Sequence, residues 1–91
     1  MCGLVGIINK KDDSRSLFES RRIKDSFVKM TKTANTRGGH STGFAIIQRD
    51  GDYLLCKRNL DAYSFFLQKS VLNALDFIDV NETSAIIGHT R

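Results

Sequence analysis

Ninety-one residues with 41% hydrophobic content, no Trp and no Pro form at most one small domain that buries a modest fraction of its surface. Lys and Arg outnumber Asp and Glu by 14 to 10, and the excess lies in the first half: nine basic residues against four acidic through Ser41, then five against six. That asymmetry favours anionic partners only weakly. Cys2 and Cys56, in a chain without an export signal, read as free thiols of a reducing compartment. The apolar run Leu4 to Ile8 is too short for a signal-peptide core or a membrane span, so the expected location is cytoplasmic.

In chain order, Cys2 to Asn9 is rich in Val and Ile, is bounded by the polar cluster KKDDS, and predicts a buried strand. A helix follows. Asp13 or Ser14 can cap it, and Ile23, Phe27, Met30 and Ala34 recur on one face while Arg21, Lys24, Lys29 and Lys32 lie around the other. No aromatic residue interrupts those charges, so the basic side reads as a solvated face rather than a nucleic-acid surface. TRGGHSTG breaks the helix with three glycines. Phe44 to Gln48 and Tyr53 to Lys57 then form two strands across Arg49-Asp50-Gly51-Asp52, where the Asp-Gly pair is a hairpin signal. A second helical pattern begins at Asp61 with Tyr63, Leu67, Val71, Leu75 and Ile78 facing inward, and Ser84 to Gly88 makes a last strand leading into His89, Thr90 and Arg91. The order β-α-β-β-α-β is by itself compatible with a ferredoxin-like domain, so the residues at candidate sites must also be weighed.

Met1 precedes a small residue and is a candidate for removal, which would leave Cys2 with a free α-amine beside its own thiol. That amine, with a reference pKa of ~7.7–8.0, can act as a base near neutral pH, which is the logic of N-terminal nucleophiles. Gly3 and Gly6 permit close approach to this strand. A cysteine in an apolar strand also packs as a small hydrophobe with no chemistry at all.

MCGLVGI at the start, RGGHSTG in the middle and GHTR at the end together resemble the glutaminase domain of class II glutamine amidotransferases, which are N-terminal nucleophile hydrolases. The resemblance implies an α+β fold, part of a four-layer α-β-β-α sandwich with antiparallel sheets. It implies hydrolysis of the glutamine side-chain amide through a Cys2 thioester, with ammonia passed to a synthase domain and no cofactor or metal. By the same resemblance Arg91 binds the glutamine α-carboxylate, a task suited to a guanidinium fork. Gly3, Arg37, Gly38, Ser41, Gly43, His89 and Thr90 shape the site. Residues 1–91 then correspond to the N-terminal portion of such a domain, truncated after GHTR. The family's later oxyanion-hole and substrate residues are absent, so the isolated chain should have little glutaminase activity. It should also need a complementary segment and leave Ile23, Phe27 and Met30 partly uncovered.

Two other constellations fail on spacing. Gly38, Gly39 and Gly43 precede a strand and lack the lysine of a phosphate loop. Cys2, His40, Cys56 and His89 are scattered singly rather than in zinc-binding pairs. Against the glutaminase reading, in which glutamine is the ligand and nucleic acid is disfavoured, stands one of another class. This is a non-catalytic small α/β binding module whose basic helix contacts an acidic or nucleic-acid partner.

Overall fold

A computed structural model describes residues 3–10, 17–35 and 39–91. Its elements are β1 (Gly3–Ile8), α1 (Leu17–Ala34), β2 (Thr42–Gln48), β3 (Tyr53–Arg58), α2 (Ala62–Phe65), α3 (Lys69–Leu75) and β4 (Thr83–Thr90). The strands form one sheet in the order β1-β4-β2-β3, with every neighbouring pair antiparallel. β1 and β2 therefore run the same way on either side of β4, and β3 and β4 on either side of β2. Each helical connection joins two parallel strands that flank a third, so the domain is two interlocked split βαβ units.

The hairpin forms where Asp50-Gly51 predicts it. Gln48 and Asp52 close the turn through Gln48 N–H to Asp52 C=O at 2.8 Å, and Gly51 takes φ +98°, a conformation that favours glycine. Side chains alternate across each strand. On the covered face Phe44 lies opposite Gly88 and Cys56, while Ile46 lies opposite Ile86 and Leu54. α1 crosses that face at β1 and β4. Phe27, Phe44, Phe65 and Phe66 form a chain of edge-to-face rings with centroids 5.0–5.9 Å apart, around which Val71, Leu75, Ile46 and Ile86 are buried.

Three local expectations are corrected. β1 is an edge strand rather than a buried one, with Leu4 80% and Ile8 85% exposed; a continuous apolar run cannot report which of its faces the fold covers. The buried stripe of α1 passes through Phe27 and Thr31, while Met30 is 38% exposed. The Thr31 hydroxyl is satisfied by donating to Phe27 C=O at 2.8 Å, so a polar residue replaces the apolar one in the stripe. The second helical region is two short helices. Gln68 is extended (φ −72°, ψ 129°) and restarts the helix. That break leaves Tyr63 and Leu67 exposed and buries Ala62, Phe65, Phe66, Val71 and Leu75 instead. The expected caps Asp13 and Ser14 lie outside the described residues.

The α+β class with antiparallel strands stands, and the four-layer sandwich does not: the described residues build one sheet with helices on a single face. Phe27 is fully covered. Uncovered apolar surface lies on the sheet, at Leu4, Ile8, Tyr53, Leu55 and Ile87, as well as on α1, where Phe18 is exposed and Met30 is partly uncovered as expected.

Candidate functional site

The three sequence motifs converge at one end of the sheet. Thr90 pairs with both Gly3 and Thr42, and His89 with both Leu4 and Gly43. Ser41 and Arg91 exchange backbone hydrogen bonds of 3.0 and 2.9 Å just beyond the strands. Packing accounts for the residue types there. A Cβ on Gly3 would stand 2.8 Å from Thr90 Oγ1 and 2.9 Å from Ala34 Cβ, and one on Gly43 would stand 3.2 Å from Cys56 C=O. Thr42 and Thr90 are buried, donating their hydroxyls to Leu60 C=O at 2.9 Å and to Ala34 C=O at 3.4 Å. His89 is half-buried, and His40 and Arg91 are exposed. The structure thus brings Gly3, Ser41, Gly43, His89, Thr90 and Arg91 together. Cys2, Arg37 and Gly38 lie outside the described residues. Cys56 is a buried free thiol in the core; burial pushes its pKa up, opposed by the nearby Arg58 charge.

A second surface is built from α1 and the helices beside it. Arg21 and Lys29 are exposed. Lys24 pairs with Asp76 of the α3 C-terminus at 2.8 Å, and Arg22 pairs with Glu19 at 3.4 Å; such surface pairs contribute little and can be exchanged for other anions. Between α1 and the α2–α3 segment runs a groove of about 410 Å³, with Val28, Phe66, Leu72 and Leu75 as its apolar lining and Lys24, Lys29 and Lys32 along it. Lys32 Nζ lies 5.6 Å from the centroid of the Tyr63 ring, within cation–π range, and that ring is 56% exposed. Asp61 positions Tyr63 by capping α2: its carboxylate accepts from Ser64 N–H at 3.5 Å. Hydrogen bonding from Ser64 holds the Asp61 carboxyl below its ordinary pKa against a smaller opposing effect of desolvation.

The basic helical face therefore has an aromatic neighbour after all. It comes from α2, 31 positions along the chain from Lys32, and no local pattern in α1 signals it. Sequence reasoning also missed a structural clasp at the opposite end of the sheet. Asn9 Nδ2 donates to Val80 and Thr83 C=O, both at 2.8 Å, and Arg49 donates to Asn9 C=O at 2.6 Å and to Asn81 C=O at 2.8 Å. These bonds tie the end of β1 to the segment that leads into β4. Among the described residues no group of three or more His, Cys, Asp or Glu is placed to hold a metal ion.

This geometry defines a class: a small antiparallel α+β domain with one helix-covered face, one open face and a basic helical groove. Known proteins place the fold more closely. A chain in the complex of a beta-clamp processivity factor and the little finger domain of PolIV superimposes with a TM-score of 0.61 and 9% identity, over 99% of this chain and 86% of that one. The insertion ternary complex of Dbh DNA polymerase gives a TM-score of 0.56 and 14% identity, over 98% of this chain and 27% of the polymerase. This chain thus spans about a quarter of that polymerase. At such identities the likeness is one of fold. No protein-family model and no curated protein matches the chain.

These findings overturn the glutaminase assignment drawn from MCGLVGI, RGGHSTG and GHTR. The chains that share the fold come from a complex with the little finger domain of PolIV and from a Dbh DNA polymerase complex, and the described residues of this chain build one sheet, not two. Glutamine and an ammonia-accepting synthase lose their support as partners, as does the exclusion of nucleic acid. Three short motifs specify turns and close-packed glycines, and a different fold can require those at the same chain positions.

Proposed function

We propose that this chain is a non-catalytic binding module that engages nucleic acid through the basic side of α1 and the tyrosine beside it. The observation that carries the reading is the Lys32–Tyr63 pair, whose Lys32 lines the groove together with Lys24, Lys29 and a single carboxylate, Asp25. Ammonium groups neutralise phosphates, and an exposed ring beside them offers a stacking platform for an unpaired base. The fold likeness to chains from a clamp complex and from a polymerase ternary complex supports the same reading. No helix among the described residues is long and apolar enough to cross a membrane, and the buried free thiol of Cys56 fits a reducing cytoplasm.

Fluorescence anisotropy with labelled single-stranded and duplex DNA across a salt series tests the proposal. Binding should weaken linearly in log–log form, with a slope of about −0.9 per duplex phosphate neutralised. The Arg21→Glu/Lys29→Glu variant should bind more weakly and with a shallower slope. Tyr63→Ala should cost single-strand binding about 1–3 kcal/mol. Absence of salt-dependent binding at low ionic strength overturns the reading, and so does glutamine-dependent ammonia release by the purified chain. An acidic polypeptide is the second reading, favoured by the apolar lining of the groove; it predicts that an acidic amphipathic peptide binds where DNA does not.

A further inference from the structure

The face of the sheet opposite the helices has its own pattern, read directly from the strand register. Across β1, β4, β2 and β3 its three rows are Leu4, His89, Gly43, Lys57; then Gly6, Ile87, Ala45, Leu55; then Ile8, Ala85, Ile47, Tyr53. Leu4, Ile8, Tyr53, Leu55 and Ile87 are 80, 85, 68, 70 and 51% exposed. Lys57, at one corner, carries the one full charge in these rows. A hollow of about 250 Å³ opens over Gly43 and Ala45, walled by Leu4, Leu55 and Ile87. Four strands of six to eight residues span roughly 20 Å by 20 Å. Five protruding large side chains bring such a face towards the ~800 Å² per partner of a standard interface. Single monomers rarely expose that much contiguous apolar surface.

We propose that this face binds a second copy of the same chain, sheet against sheet, about a two-fold axis that runs parallel to the strands between β4 and β2. The register makes the face self-complementary under that operation, as an isologous contact requires. Ile87 of each copy lies over Ala45 of the other, Leu55 over Gly6, His89 over Gly43 and Ile47 over Ala85. Large side chains meet small ones throughout the two central columns and the middle row. A Cβ placed on Gly6 finds no neighbour closer than 4.0 Å, so the notch there is open to receive Leu55. The two Lys57 side chains lie over Leu4 at the two outer ends of the same row, where their stems can cover leucine while the ammonium groups stay in water. Sheets stacked in this way lie about 10 Å apart. The product has layers in the order α-β-β-α, built between chains rather than within one, with the two α1 helices on opposite outer surfaces. The dimer is thus independent of the nucleic-acid surface.

Sedimentation velocity over a concentration series tests this. The wild-type chain should show a reversible monomer–dimer equilibrium. Ile87→Lys and Leu55→Lys, each burying an ammonium in the interface, should raise the dimer dissociation constant by roughly tenfold or more. Ala45→Phe should do the same by filling the hollow, and its added ring points into open space in the monomer, so it serves as the control for folding alongside far-UV circular dichroism. A wild-type chain that stays monomeric to several hundred micromolar overturns the proposal. So does a dimer that survives all three substitutions, growth past the dimer into open assemblies, or a monomer whose open face takes a different partner.

Discussion

At the residue scale the most exacting contact is between Phe27 and Gly88. The Phe27 ring is fully buried, and its Cζ lies 2.6 Å from where a Cβ on Gly88 would stand, closer than carbon atoms can approach. Glycine at 88 is therefore a packing requirement of α1 on β4, and Gly88 has no positive φ to explain it otherwise. Gly88→Ala must push Phe27 out of its edge-to-face contact with Phe44, which spans 5.9 Å between centroids. Overpacking of this kind costs about 1–3 kcal/mol. A urea unfolding series should show that loss as a lower midpoint with an unchanged slope; a midpoint equal to wild type would mean that α1 shifts freely on the sheet.

At the scale of elements, the hairpin and the split second helix behave differently. The β2–β3 hairpin rests on local chemistry: Asp52 N–H donates to the Asp50 carboxylate at 2.9 Å, and Gly51 supplies the positive φ. Nothing lies within 4 Å of a Cβ on Gly51, so any penalty for filling it is purely conformational. Gly51→Ala should cost about 1–2 kcal/mol, and Gly51→Asn less, because asparagine tolerates left-handed backbone. Thermal unfolding of the three proteins checks the ranking; equal stabilities would remove the turn conformation as the cause. The break at Gln68 has no comparable local signal. It arises because the core needs Phe65 and Phe66 on one side of the break and Val71 and Leu75 on the other, and a straight helix cannot aim all four at one sheet.

At the scale of the molecule, the fold separates its two surfaces by the thickness of the sheet and its helical cover. Residues of the open face alternate with core residues along the same strands, while the basic side chains stand on α1 beyond that core. Changes at one surface should leave the other intact. The Ile87→Lys variant, made monomeric, should bind short and long duplexes with wild-type affinity per chain, because two α1 helices on opposite outer surfaces of the dimer cannot share one stiff duplex. Anisotropy with both lengths measures this. Equal loss on both would place Ile87 within the nucleic-acid surface and merge the two sites.

Much of the domain was legible locally. The Asp50-Gly51 turn, the alternation of strands with helices and the basic side of α1 all follow from short-range patterns, because turns, periodicity and charge act over a few residues. What the sequence determined by itself is therefore the kind and order of elements, with a motif resemblance that pointed to the wrong partners. Only the tertiary structure decided the rest. It made β1 an edge strand, since an apolar run has the same appearance whether one face or both are covered. It brought Tyr63 to Lys32 across 31 positions, and it set Ile87 beside Ala45 through a pairing of β4 with β2. Each of these depends on which strands become neighbours, a choice made by the summed burial of the core and not by any single segment.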